Sequence, residues 1–553
     1  MPSNINPVTR ILNLVKLEKK EISAVYFYAI LNGLIQLSLP LGVQAIVGFV
    51  LGASMRASLV VLVALVVIGV LVAGIMQVNQ MKIIEKIQQK IFTRYSFAFA
   101  EHIPRMDLNK NDHVYLPELI NRFFDIPVLQ KSLSKLLLDI PTATVQILVG
   151  LILLGFYHPA FILFGIVLVL MLWVIIRYSG RLGLQTSLDK STYKYKVAAW
   201  LEETARVIKS IKLTGYNNLH LQKTDEHVSA YLHARTKHFK VLLFQFNVLV
   251  IFKTIITAAM LIVGTILLVN QQLNIGQFIA AEIVILLVLT SVEKLIINLS
   301  SAYDTLTAVE KLANLTDTAL EENGSALMLE KAEGIALEIK NMTFAYRQGT
   351  PLFKDVSFKI DAGELVCVRG KESSGKSTLI RILAGAYTGF TGTYLLDGLP
   401  LANYNLPSVR SHVGVLTSDQ DIFQGTLREN IALGKETSIE TISFYAEKTG
   451  LQEFINSLPK GYDSLLDPTG QRLPRNVVQK ILLVRALVAA PRLLLLEEPW
   501  LNMNTEQSSR LKETIKALKN VTIIIITNDE GFAAECNKLI TIDNGNININ
   551  KNH

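Results

Sequence analysis

Cysteine is nearly absent. Only Cys367 and Cys536 occur in 553 residues, too few and too isolated for a disulfide framework or a cysteine-ligated zinc site, and two reduced thiols are the expectation. Charge is scarce as well. Asp, Glu, Lys and Arg make up 18% of the chain, where soluble proteins carry about 25%. Half of the residues are apolar and mean hydropathy is +0.37, a balance suited to a bilayer. Acidic groups are outnumbered, leaving a net charge of +8. In a chain with membrane spans such an excess collects in cytoplasmic loops, so it calls for no nucleic-acid partner. The first twenty residues hold Arg10, Lys16, Lys19 and Lys20 without an apolar core, so no cleavable signal peptide is expected. The length is too great for one compact domain.

What is abundant is long apolar sequence. A helix crossing the hydrocarbon core needs roughly 20 apolar residues. Six runs qualify: 22–52 (interrupted by Pro40), 59–78, 140–157, 161–178, one within 241–269, and 276–299. Long polar, helix-favouring segments separate the second run from the third and the fourth from the fifth; the other gaps are short. Lys82, Lys86, Lys90 and Arg94 open the first long segment, and Arg177, Arg181, Lys190, Lys194 and Lys196 open the second. The short links 158–160 and 270–275 have no Lys or Arg. Both long segments and both termini are therefore expected in the cytosol. A soluble bundle would need polar helix faces, and these runs have almost none.

Within the fifth and sixth runs fall Lys253, Glu282, Glu293 and Lys294. An ionisable group at membrane depth is costly and turns toward a bundle interior or a polar path. Lys253 and Glu282 are candidates to pair across the fifth and sixth spans or to line such a path. The alternative, a place near the membrane edge, is the reading for Glu293 and Lys294.

Past 315 the helical pattern ends. Residues 316–334 read as a polar linker, and from 335 short β-rich runs alternate with helices. Fully apolar strands in such an alternation predict a mainly parallel sheet covered on both faces. Within it, 370–378 reads GKESSGKST, which fits the phosphate-binding loop G-x-x-x-x-G-K-[ST] between an apolar strand and a helix. Gly370, Ser373, Ser374, Gly375 and Thr378 would bring main-chain and hydroxyl groups around phosphate oxygens at a helix N-terminus. Lys376 would neutralise the β/γ-phosphates and the Ser377 hydroxyl would ligate Mg²⁺. Four leucines then lead to Glu497 and Glu498. The first carboxylate is placed to hold Mg²⁺ and the second to polarise the attacking water, making Glu498 the candidate catalytic residue.

These features in this order resemble a type I ATP-binding cassette (ABC) exporter half-transporter over nearly the whole chain. Segments 85–105 (EKIQQKIFTRYSFAFAEHIPR) and 276–296 (GQFIAAEIVILLVLTSVEKLI) are similar to bacterial type I secretion and bacteriocin-exporter subunits. The resemblance implies an all-α six-helix transmembrane domain (1–315), the linker, and an α/β P-loop NTPase domain of the ABC type (335–553). It implies ATP and Mg²⁺ as cofactors, with Tyr346 stacking on adenine. It further implies a homodimer or a heterodimer with another ABC half, and coupling segments near 107–115 and 214–221 that dock on the ATP-binding domains. The setting would be the bacterial cytoplasmic (inner) membrane, with a periplasmic adaptor protein as a further partner.

The departures from the family pattern gather where hydrolysis and dimer closure take place. Ser418 stands in the Q-loop glutamine position, with Gln420 out of register. The signature L-S-G-G-Q is LPRNV at 473–477, and Pro474 has neither hydroxyl nor N–H. Glu497 replaces the Mg²⁺-side aspartate, Asn504 the D-loop aspartate and Asn528 the switch histidine. Asparagine can hydrogen-bond the γ-phosphate but cannot take a proton as imidazole does. Binding of ATP with weak hydrolysis is expected. Two functions fit: an export subunit, or an ATP-binding, hydrolysis-deficient regulatory or scaffolding subunit of an export complex.

Overall fold

A computed structural model describes residues 6–551 apart from 37, 52–55, 113–114, 216, 347–348, 468–472, 502 and 544. Two compact units emerge. The first is entirely helical. A short α1 (Pro7–Leu17) leads into α2 (Lys19–Gln36) and α3 (Ser38–Leu51). Five long helices follow: α4 (Arg56–His102), α5 (Asp125–Tyr157), α6 (Ala160–Arg206), α7 (Leu219–Val269) and α8 (Ile275–Thr316). Six candidate spans, by length and apolarity, lie among the described residues. The all-α fold predicted for this half is the observed one.

The polar segments between spans are continuations of the spans. A helix such as α4, 47 residues long, extends about 70 Å, more than twice the roughly 30 Å hydrocarbon thickness. The apolar stretch of α4 leaves Val61, Leu65, Ile68 and Leu71 largely exposed, as a lipid-facing surface requires. Pro40 does not break the first span. It sits in the first turn of α3, where a missing N–H costs nothing, so the boundary precedes Ser38.

Small residues let α5 and α8 approach closely. A Cβ at Gly150 would stand 2.6 Å from Val288 Cγ2, and Ala280, Ala281, Val284 and Val288 beside it are fully buried. Polar side chains cross-link α5 to two neighbours: Gln146 bonds Gln36 of α2 on one side and accepts from Ser291 Oγ of α8 at 2.7 Å on the other. Lys253 on α7 pairs with Glu293 at 2.7 Å. The partner is therefore Glu293, not Glu282. Glu282 is half-buried and has no ion pair among the described residues.

Among the described residues the second unit holds two larger sheets with their helices and a short antiparallel pair, Gly425–Thr426 with Leu465–Leu466. Strands β1 (Leu337–Phe344), β2 (Phe353–Ile360) and β4 (Thr391–Leu396) form an antiparallel sheet in the order β2-β1-β4, extended by the pair Leu399–Pro400. The main sheet runs β9-β8-β3-β7-β6-β5, from β3 (Leu365–Gly370), β5 (Val413–Leu416), β6 (Leu493–Glu497), β7 (Thr522–Ile526), β8 (Lys538–Asp543) and β9 (Asn546–Lys551). All but β9 are parallel. Leu493–Leu496 are fully buried, since both sheet faces are covered. The helices that matter here are α9 (Lys376–Leu383), α10 (Arg475–Val488), α11 (Thr505–Ala517) and α12 (Glu530–Ala534).

Residues from the polar stretch before β1 are part of this unit. Ala326 pairs with Tyr404, and the Arg410 guanidinium forms a double contact with Glu321. Residues 105–112, in the first expected coupling segment, belong to the same unit: Met106 bridges Leu320 and the Asp107 amide donates to Ala319 O. Buried Arg492 binds the carbonyls of Leu329, Glu333 and Gly334 and the Asp397 carboxylate. Arg492→Ala strands Asp397 and three carbonyls at once. We expect a loss of about 3 kcal/mol, seen as a melting temperature lower by roughly 6–12 °C for a unit of this size in thermal denaturation of the full chain.

Candidate active site

The strand β3 delivers the chain into the loop 370–375 at the sheet's carboxyl edge. The loop is built for close main-chain approach. A Cβ at Gly370 would lie 2.5 Å from Ile542 O, and Gly375 has φ +101°. Ser373 also takes a positive φ. Lys376 opens α9 and folds back over the loop, its Nζ donating to Gly370 O at 2.8 Å and Lys371 O at 2.7 Å. Ser374 Oγ is buried without a hydrogen-bond partner among the described residues.

Glu497, at the end of β6, meets this loop. Its Oε1 accepts from Ser377 Oγ at 2.6 Å, and its Oε2 accepts from the Ser418 amide at 3.0 Å. Ser418, in the Q-loop position, is thus tied to the Mg²⁺-side carboxylate. Gln420 lies beside it, its carbonyl accepting from the Thr417 amide at 3.3 Å.

Glu498 follows in the left-handed region at φ +43°, which turns its carboxyl away from Glu497 and toward the end of β7. There it accepts from Thr527 Oγ1 at 3.4 Å and from the Asn528 amide. Burial holds its carboxyl above the ordinary glutamate value, against those hydrogen bonds and the Lys376 charge. The folded state thus favours protonated Glu498, and stability falls as pH rises through the raised value. Glu498→Gln removes that cost. Its melting temperature is expected to exceed the parent's at pH 8, with the gap closing on acidification, measured by thermal denaturation across pH.

The other expected residues fall around this centre. The Tyr346 hydroxyl bonds Thr378 Oγ1 at 2.8 Å, and its ring packs edge-on against Phe344 and Tyr387. Asn528 is exposed just beyond β7. Asn504 caps α11 by accepting from the Gln507 amide at 2.8 Å. Pro474 immediately precedes α10 with φ −57° and no side-chain cap, so the signature helix forms without the hydroxyl. A cavity of about 510 Å³ is lined by Ser418, Gln420, Arg475, Gln479, Glu497 and Glu498. Arg475 thus lines the same cavity as the two carboxylates of its own chain. The structure adds two residues that the motifs do not mark: Thr527, and Gln479, which donates to Glu498 O at 2.7 Å. A threonine directly before Asn528 at a strand end is the one signal the sequence holds for them.

The residues fit a magnesium–nucleotide. An orphaned buried hydroxyl (Ser374), an ammonium held only by main-chain carbonyls (Lys376) and a left-handed glycine suit a phosphate chain. Ser377 and Glu497 meet where Mg²⁺ would sit. Among the described residues no group of three or more His, Cys, Asp or Glu could hold a metal; Ser377 and Glu497 would hold Mg²⁺ together with a bound nucleotide, and the ion would supply charge neutralisation at the phosphates.

Residues 353–501 match the ABC transporter family, and residues 22–292 match the ABC transporter transmembrane region. The chain belongs to the ABC transporters. This half-transporter, a membrane domain followed by a nucleotide-binding domain, is similar to a Rickettsia bellii protein named for export and ATP-binding/permease, 26% identical over 85% of the chain and 82% of that protein. It is 32% identical to an ATP-dependent lipid A-core flippase of Legionella pneumophila, over 44% of the chain and 41% of the flippase. The chain thus aligns with less than half of that flippase's length. A solved structure of a bacterial Atm1-family ABC exporter with ATP bound has the same fold, with TM-score 0.83 over 97% of this chain and 95% of the other at 18% identity.

The two cysteines are not isolated in space. Cys367 on β3 and Cys536 after α12 are buried, and a thiol–thiol hydrogen bond lowers the first and raises the second.

Proposed function

We propose that the half-transporter dimerises, with itself or with another ABC half, and takes part in ATP-coupled export across the bacterial cytoplasmic membrane, binding MgATP but hydrolysing it slowly. The observation that carries this reading is the contrast within one site. The loop around Lys376 has the form a triphosphate needs, while Pro474 opens the signature helix with neither hydroxyl nor N–H to offer a partner's γ-phosphate. In a homodimer both composite sites carry that deficit. Exposed Leu213, Leu219 and Leu221 around the second coupling segment support docking on a partner subunit. The basic openings of the long helices support cytosolic termini.

Named relatives move lipid A-core, and the secretion subunits that 85–105 and 276–296 resemble move peptides, with an adaptor beyond the membrane. The proposed cargo is therefore amphipathic. Pro474 and Asn528 together favour a second reading, an ATP-binding regulatory subunit of an export complex. Steady-state phosphate release by the purified protein in lipid, with Lys376→Ala as background, separates the two. Turnover near that background with MgATP bound favours the regulator. Turnover of about 0.1–10 s⁻¹, ordinary for an enzyme, sinks both it and the slow-hydrolysis claim.

A further inference from the structure

A groove of about 320 Å³ runs between α6 and α7, lined by Tyr178, Leu182 and Thr186 on one helix and Lys237, Lys240 and Phe244 on the other. Its level is set by sequence. The fourth apolar run ends at 178 and the fifth opens at 241, so the groove lies where hydrocarbon gives way to headgroups. Its walls are mixed accordingly. Tyr178, Leu182 and Phe244 are largely exposed and offer an apolar and aromatic surface suited to acyl chains and the interface. Buried hydrogen bonds stiffen the floor: Thr186 to His238 at 3.0 Å and Gln245 to Ser179 at 2.8 Å.

The charges here are uncompensated. Some cations of this unit are paired: Lys90 and Arg94 reach Glu18, Lys190 reaches Asp304 and Lys194 reaches Asp125. Lys237 and Lys240 have no carboxylate partner among the described residues, and neither do Arg177 and Arg181, which flank Tyr178 and Leu182 on α6. A cluster of free cations over an apolar cleft at headgroup depth is complementary to one ligand chemistry, a phosphate ester joined to acyl chains. We propose that this groove is a binding site for an acidic phospholipid, which packs its chains on Tyr178, Leu182 and Phe244 and sets its phosphate between Lys237 and Lys240.

The test uses the full-length protein in detergent, titrated with phosphatidylglycerol or phosphatidylcholine and read by native mass spectrometry. Phosphatidylglycerol is expected to bind at least tenfold more tightly. Lys237→Gln with Lys240→Gln should weaken it about 30-fold, the effect of two cations at a membrane surface. Lys237→Arg with Lys240→Arg should retain it. The control Lys209→Gln with Lys212→Gln removes equal charge elsewhere and should leave it unchanged. Equal binding of the two lipids, an equal loss in the control, or displacement by inorganic phosphate would each overturn the proposal.

Discussion

Pro474→Ser combined with Arg475→Gly and Asn528→His raises ATP turnover of the purified protein in lipid by about 100-fold or more, the scale of one restored preorganised donor set. Pro474 has an extended backbone at the head of α10, a geometry a serine can adopt. The serine hydroxyl caps the helix and is presented to a partner's γ-phosphate. Removing Arg475 clears a cation from the cavity that Glu497 and Glu498 share. A histidine at 528, just beyond Thr527, adds a proton acceptor next to Glu498. The effects of groups acting as one unit do not add, so each single change is expected to give much less than the triple. Phosphate release under saturating MgATP measures this. An unchanged rate in the triple variant would move the defect to Ser418, the Q-loop position.

Lys376→Ala weakens MgATP binding by about 30- to 150-fold, the worth of a charge-assisted contact of about 2–3 kcal/mol. Among the described residues the Nζ is bound only to Gly370 O and Lys371 O. Removing it leaves the fold intact and takes away only the charge aimed at the phosphates. Equilibrium binding of a fluorescent ATP analogue, beside a melting curve matching the parent's, separates lost affinity from lost structure.

Legibility in the sequence follows distance along the chain. The apolar runs, the loop 370–378 and the strand-end carboxylates are contiguous signals set by local chemistry, and the amino-acid order alone places them. The partner of Lys253 is another matter. Glu282 and Glu293 both lie on α8, and only the rotation and stagger of α7 against α8 choose between them. Arg475 lining the cavity that holds the carboxylates of its own chain, and Cys367 beside Cys536, are tertiary facts of the same kind. Pro40 is ambiguous in one dimension because proline ends a helix from its interior but fits its first turn, and nothing local marks where that turn lies. Gln479 has no local mark at all, and the mark on Thr527, its place directly before Asn528 at the end of a buried strand, does not say which carboxylate it meets.

The proposed site grips a nucleotide triphosphate while lacking the groups that fire it. Simultaneous measurement of MgATP affinity and phosphate release, on the full-length protein in lipid nanodiscs, bears on this without intermediate steps. Saturable binding that Lys376→Ala removes, with turnover below about 0.1 s⁻¹, is the predicted result. Failure to bind MgATP, or turnover well above that rate in the unaltered protein, would contradict it.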